Sequence, residues 1–311
     1  GKPYGAGEGT SVFAMDTGNS SSTIPNFDSG FPVDFAFARE PASTGQWDTG
    51  ARLIQGKYLG ANTTAAEATS SDFTFDSNVG WNKISSWGSS YQAWMWKRHA
   101  GFDVVTYKGD AVSGRQIPHS LNKVPEMMWV KRRTSGSGGM SWLIYHKGLD
   151  GGTNPQTHYL LLNSNAAEGD EATIWNDTAP TSTHFTLGGS TNVNRNDSDH
   201  IAMLFASVDG ISKCGSYSGS SSDLTITTGF QPRLFITKCI SDGGAGHGWT
   251  VFDTLRGIGN SVNTKRMYLD SNAAQTTGHY LDGVSSTGII LKTNNSASNQ
   301  SGKDYIYYAH S

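Results

Sequence analysis

Pro125-Glu126-Met127-Met128-Trp129-Val130-Lys131 decides how this chain is read, because its pattern stands in two other places. A proline leading a run of apolar residues that closes on a base recurs as Pro32-Val33-Asp34-Phe35-Ala36-Phe37-Ala38-Arg39. It recurs again as Pro232-Arg233-Leu234-Phe235-Ile236-Thr237-Lys238. The prolines stand 93 and 107 residues apart. Downstream of each comes an aromatic: Trp47, Tyr145, Phe252. An apolar pair ahead of an asparagine follows: Tyr58-Leu59 before Asn62, Leu161-Leu162 before Asn165, Tyr268-Leu269 before Asn272. Each unit closes on an aromatic-rich run, at 91–96, 200–205 and 305–309. Four landmarks in one order point to a tandem array of one module.

The period sets the expected architecture. Solenoid repeats of ~20–50 residues cannot bury a face alone, whereas a unit of about 100 residues holds its own core. The sequence therefore predicts a leader or linker at 1–8 and modules at 9–100, 101–208 and 209–311. The linkers at 98–101 and 208–210 are short, which predicts a semi-rigid rod or arc of beads.

Charged residues are 16% of the chain, below the ~25% of an average soluble protein, and there are 38 glycines. Ser, Thr, Asn and Gly make the polar surface, which suits strands and turns better than exposed helices. Short apolar runs at 35–37, 129–131 and 234–236 alternate with turn clusters, the pattern of an antiparallel sandwich of about seven or eight strands per module. The stretches 64–68 and 165–168 read as single helical turns. The fold class is all-β: three tandem antiparallel β-sandwich modules.

Net charge is −3 without a basic stripe, so no nucleic acid is expected as a partner. Lys131-Arg132-Arg133 reads as a solvated strand end. No apolar run approaches the ~18 residues of a membrane span, so no membrane insertion is expected. A chain opening on Gly1, with neither a signal peptide nor an initiating Met, reads as processed or as a segment of something longer. Cys214 and Cys239 are too few for a disulfide framework. They fall near the ends of strands predicted to be adjacent, and buried free thiols are the expectation.

The recurring residues read as structural. Pro32, Pro125 and Pro232 open strands. Asn62, Asn165 and Asn272 suit turns. Trp47, Tyr145 and Phe252, with Trp142 and Trp249 three residues ahead of the last two, suit packing. Contact is expected where the modules diverge. Before its last strand module one carries Trp81-Asn82-Lys83-Ile84-Ser85-Ser86-Trp87, where the others carry Asn-rich loops at 192–197 and 294–299. Two tryptophans in a polar loop can stack on a sugar or seat a subunit, so Trp81, Trp87, Asn82 and Lys83 are the candidate contact residues. The opposing reading folds those rings over their own module. The glycine loops 135–139 and 242–248 read as flexible tips, and a strand rather than a helix follows each, which argues against a phosphate cradle.

Catalysis finds little footing. Asp48 and Asp253 stand at positions read as equivalent, but module two has His146 there. No G-x-S-x-G, HExxH or CxxC pattern occurs. The acidic run 196–199 lacks the ligand spacing of a calcium loop. The expectation is a protein that is not an enzyme, with no metal site and no cofactor.

Residues 125–132, Trp142-Leu143-Ile144-Tyr145-His146, Asn165-Ala166-Ala167, Asn62-Thr63-Thr64-Ala65-Ala66 and Phe252-Asp253-Thr254-Leu255-Arg256-Gly257 together resemble a module repeated in structural proteins of tailed bacteriophages, especially marine phages of cyanobacteria. The resemblance covers the chain from about residue 9, and module two departs from the Asp-Thr-x-Arg-Gly string. It implies jelly-roll or lectin-like sandwiches in tail fibres or other proteins of the particle exterior, and supplies no catalytic residues. The expected function is a virion structural protein, a tail-fibre or tail-appendage component with a host-glycan attachment role. Its expected partners are other virion proteins and further copies of itself, a trimer among them. A capsid-decorating cement protein and a cell-surface glycan-binding adhesin are the alternatives.

Overall fold

The computed structural model describes residues 9–259 and 262–311; the leader expected at 1–8 lies outside them. The protein is all-β and its sheets are antiparallel. Three six-stranded sheets dominate, and the strand order is the same in each. An entry strand (Phe13–Thr17, Phe102–Lys108, Ser212–Ser218) pairs with the closing strand (Gln92–Trp96, Asp199–Phe205, Asp304–His310). The closing strand pairs in turn with the proline-led strand (Phe35–Arg39, Met127–Arg132, Leu234–Cys239). A fourth strand follows (Asp48–Ala51, Leu143–His146, Thr250–Asp253), then a fifth (Lys57–Gly60, His158–Leu161, Thr264–Tyr268) and a short edge strand.

Each large sheet is covered on one face by a small sheet of its own module. Phe27–Asp28 pairs with Gly80–Trp81, Arg115–Pro118 with His184–Leu187, and Leu224–Thr227 with Gly288–Leu291, which also pairs with Leu281–Ser285. Between the layers lies a local core. In module two it joins Met128, Val130 and Tyr145 of the large sheet to Ile117, Phe185 and Leu187 of the small one.

The opposite face corrects the expectation of beads. Phe35 and Phe37, Met127 and Trp129, and Leu234 and Ile236 all enter one central core that draws on every module. Their alternates (Ala36 and Ala38, Met128 and Val130, Phe235) belong to the three local cores. A strand apolar on both sides must be covered on both sides, and the second cover comes from the other two modules. The modules close around a common centre instead of forming a rod or arc. Val12, Val208 and Ile211, with Ala100 against them, gather the two linkers and the residue before the first entry strand in one small cluster.

The register also moves several landmarks. Phe35, Met127 and Leu234 occupy the same place opposite the closing strand, facing Trp96, Phe205 and His310. Val33, not Pro32, is therefore the counterpart of Pro125 and Pro232. Opposite the same three residues on the fourth strand stand Ala51, His146 and Asp253, so Asp48 is not the counterpart of Asp253. The expected helical turns at 64–68 and 165–168 are not helical; each runs into a short edge strand, Ala68–Thr69 and Gly169–Asp170. Cys214 and Cys239 are free and buried, but their strands are not neighbours, since the closing strand lies between them.

Lys131-Arg132-Arg133 is not a solvated strand end. Lys131 and Arg132 are wholly buried. The Arg132 guanidinium gathers the carbonyls of Gly136, Ser137, Gly138 and Thr191, so the 135–139 loop is wrapped around a cation. Arg133 reaches Glu67 of module one at 2.7 Å.

Candidate functional site

The tryptophans show how the modules hold together. On the strand register Trp47, Trp142 and Trp249 are counterparts. Each backbone N–H is accepted by the side chain of Asn62, Asn163 or Asp270, at 3.1, 2.8 and 2.7 Å. Each indole N–H then crosses to a different module. Trp47 donates to the carbonyl of Tyr268, Trp142 to that of Gly60 and Trp249 to that of Leu161, all at 2.9 Å. A second set of crossings runs the other way round. The amides of Glu67, Glu168 and Gln275 donate to the carbonyls of Arg133, Ile240 and Pro41 at 2.8–2.9 Å. One to two, two to three and three to one makes a closed circle.

Asn62 thus takes part in this junction, while Asn165 and Asn272 lie two positions beyond its counterparts. The Asn272 carbonyl instead accepts the amide of Gly45 in module one. Tyr145 and Phe252 sit in the local cores, and Trp47 in the central one. The bases that close the three repeated strings, Arg39, Lys131 and Lys238, are also buried. Burial pushes Arg39 down to about 10, Lys131 to about 7 and Lys238 to about 8. Arg39 donates to the carbonyls of Ser271, Asn272 and Ala273 across the junction, and Lys131 to that of Thr64.

The expected contact loop is not a contact surface. Trp81 is 0% exposed and stacks on Phe27 and Phe75, with ring centroids 6.0 and 5.3 Å away. Trp87 is 7% exposed and lies flat on Tyr91 at 4.9 Å. Asn82 is buried at φ 69° and caps the amide of Ile84 at 2.7 Å, while the Lys83 amide donates to Asp72. Module one has a small two-stranded second layer, and these indoles fill the space beneath it. They complete a core and present no platform to a sugar.

Two buried polar groups distinguish the junctions chemically. His146 of module two donates from Nε2 to the carbonyl of Tyr307 at 3.2 Å and accepts the Gly148 amide on Nδ1 at 3.0 Å. Burial, ahead of all other causes, pushes its pKa down to about 3. Asp253 of module three accepts the Trp94 indole of module one at 3.2 Å and pairs with Arg256 at 2.6 Å. The Asp-Thr-x-Arg-Gly string is therefore a structural clamp. Among the described residues, no group of His, Cys, Asp and Glu is placed to hold a metal ion, and no helix is long and apolar enough to cross a membrane.

A cavity of about 420 Å³ opens beside module three, where Gly9 meets Ser311. Thr10, Phe230, Gln231, Arg233, Thr254 and Ser286 are among the residues that line it. Sequence reading did not single out Arg233, which sits within a repeated string. The signal was there: the residue after Val33, Pro125 and Pro232 is Asp34, Glu126 and then Arg233, a reversal of charge.

A family model described as a domain of unknown function, DUF7483, matches residues 15–311, spanning the three modules as one unit. No curated protein matches the chain.

Proposed function

The chain belongs to the DUF7483 family, and from that premise we propose that it is a structural protein of the exterior of a tailed-phage particle, a tail-fibre or tail-appendage component that also engages the host surface. The observation that supports this reading is the closed circle of junctions. Three indole and three amide crossings, all buried or half-buried, turn modules on short linkers into one block. A block with one shared core resists local opening better than beads do, which suits a protein working outside a cell. Its partners are other virion proteins and further copies of itself, and its role is mechanical and adhesive rather than catalytic. The resemblance of its repeated strings to phage structural modules supplies the particle.

Mass spectrometry of purified particles tests this reading. The chain should be present at a fixed stoichiometry, and imaging should place its density on the tail. Absence from particles refutes the virion reading; density on the head makes it a capsid-decorating protein.

A further inference from the structure

Two positions of the central core change character at a single junction. The strand register makes Gln92 the counterpart of Ile201 and Ile306; the three stand opposite Arg39, Lys131 and Lys238 on the proline-led strands. Three residues past Ala51, His146 and Asp253 come Ile54, Leu149 and Arg256. Ile201, Ile306, Ile54 and Leu149 all belong to the central core, or pack within it as wholly buried side chains. Where module three meets module one, an arginine and a glutamine take those apolar places. They are buried nonetheless, Gln92 at 3% and Arg256 at 6% exposed.

The two side chains share one neighbourhood. Arg256 holds its guanidinium carbon 5.8 Å from the ring centre of Trp94, which lies two residues along from Gln92 on the same face of its strand. At the junction of modules two and three the equivalent loop rests on the equivalent side chain: a Cβ on Gly148 would fall 3.1 Å from Cγ2 of Ile306. Arg39, the cross-strand neighbour of Gln92, is wholly buried, and after burial the Arg256 charge is what pushes its pKa down. Donors and charges do not balance there. Among the described residues, Nη1 of Arg256 and Nε2 of Gln92 are buried without a hydrogen-bond partner. Arg256 pairs with Asp253, whereas Arg39 donates to backbone carbonyls and to no carboxylate. Two buried guanidiniums thus share one carboxylate, and both the spare charge and the spare donors call for compensation.

We propose that the junction of modules one and three binds a small monovalent anion of the halide class, chloride in ordinary salt, on the donors of Arg256 and Gln92. One surplus positive charge calls for one negative charge, and a dianion would overshoot it. Both spare groups are N–H donors, so the ligand must accept hydrogen bonds and need not offer any. Side chains this deeply buried leave no route for a sugar or an organic acid without opening the junction. Modules one and three are also the pair that does not follow in sequence, so no short linker holds them together. The anion fastens the one junction that the chain itself leaves non-covalent.

Urea unfolding of the full chain tests it at constant ionic strength, with sodium chloride exchanged stepwise for sodium gluconate. An ion bound by the folded state alone raises the folding equilibrium constant about tenfold for each tenfold of chloride above its Kd. Gln92→Leu removes one donor and should weaken the apparent chloride affinity about 10- to 100-fold, the value of a hydrogen bond to a charged group. Gln92→Glu brings a carboxylate to the two guanidiniums. It should be at least as stable as the parent in gluconate and should lose the chloride response. Crystals of the parent soaked in sodium bromide should show an anomalous peak beside Arg256 Nη1. A parent indifferent to chloride overturns the site, and so does a Gln92→Leu response equal to the parent's, which would mark a general salt effect. Absence of the bromide peak overturns it too, whether or not the variants fold.

Discussion

Replacing Trp142 by phenylalanine separates a closed circle from a string of beads. The indole is wholly buried and donates from module two to the Gly60 carbonyl of module one at 2.9 Å. Phenylalanine removes that donor but keeps most of the ring. The Gly60 carbonyl is not orphaned, since it also accepts the Thr63 amide at 3.3 Å. The loss is therefore that of one ordinary hydrogen bond, about 1 kcal/mol, rather than the full desolvation of a carbonyl. A vacated volume of roughly 40 Å³ at ~24 cal/mol per Å³ adds about 1 kcal/mol. Each of Trp47→Phe, Trp142→Phe and Trp249→Phe should then cost about 2 kcal/mol. The sites share no partner, so the triple variant should approach ~6 kcal/mol, a large part of the 5–15 kcal/mol of a typical fold. Urea unfolding followed by both far-ultraviolet circular dichroism and tryptophan fluorescence is the assay. The two signals should coincide in one transition for the parent and every single variant, with the midpoint falling and the slope unchanged. Separate transitions in the parent protein, or a single variant in which one module melts while two persist, would refute the shared-core argument.

Other expectations follow from the same contacts. His146 has its folded pKa pushed down to about 3 from an ordinary value near 6.5. The unfolded chain thus takes up its proton first as pH falls. Its contribution is complete above about pH 6.5 and is lost between there and about pH 3, at up to ~1.4 kcal/mol per pH unit. His146→Gln should flatten the acid limb of stability against pH, whatever it does at neutral pH; an unchanged limb would show that other groups govern it. Trp81→Ala with Trp87→Ala should destabilise by roughly 3–5 kcal/mol per large ring, read as a lower urea midpoint of the same single transition. Trp81→Phe should be milder, since the Trp81 indole N–H has no hydrogen-bond partner among the described residues. Asp253→Asn leaves Arg256 buried and unpaired and should cost roughly 3–5 kcal/mol by thermal denaturation; a loss under about 1 kcal/mol would mean that the pair is solvated.

The fold class was legible because alternation and turn spacing are local properties. Strands at 35–37, 129–131 and 234–236 are where the pattern puts them. The closed arrangement was less legible, although its sign was present: Met127-Met128-Trp129-Val130 is apolar at every position, not every second one. A strand covered by a single small layer would alternate, so an unbroken run demands a second cover. Single-residue register was beyond reach, because strings align equally well one step apart until pairing fixes them. Pro32 was thus matched to Pro125 when Val33 is its counterpart. Trp81 and Trp87 misled for another reason. A loop rich in Asn, Lys and Ser looks exposed, yet its polar groups face outward or cap their own backbone, and the indoles take the inward positions.

The three junctions share a backbone pattern but differ in buried chemistry. At one position the first module offers the Ala51 methyl to the central core, the second sets His146 against the Tyr307 carbonyl, and the third sets Asp253 against the Trp94 indole. Exchanging partners would place a carboxylate or an imidazole against a group that cannot satisfy it, at a cost of 1–3 kcal/mol or more per orphaned group. Identical modules could close in any order, and could equally exchange with modules of a second chain. Unequal buried polar groups favour the one order in which every donor meets its acceptor. The same freedom to differ, once the backbone crossings hold the circle together, explains how position 233 could reverse its charge. Asp34 and Glu126 each secure an outgoing linker, whereas Arg233 lines the cavity of module three.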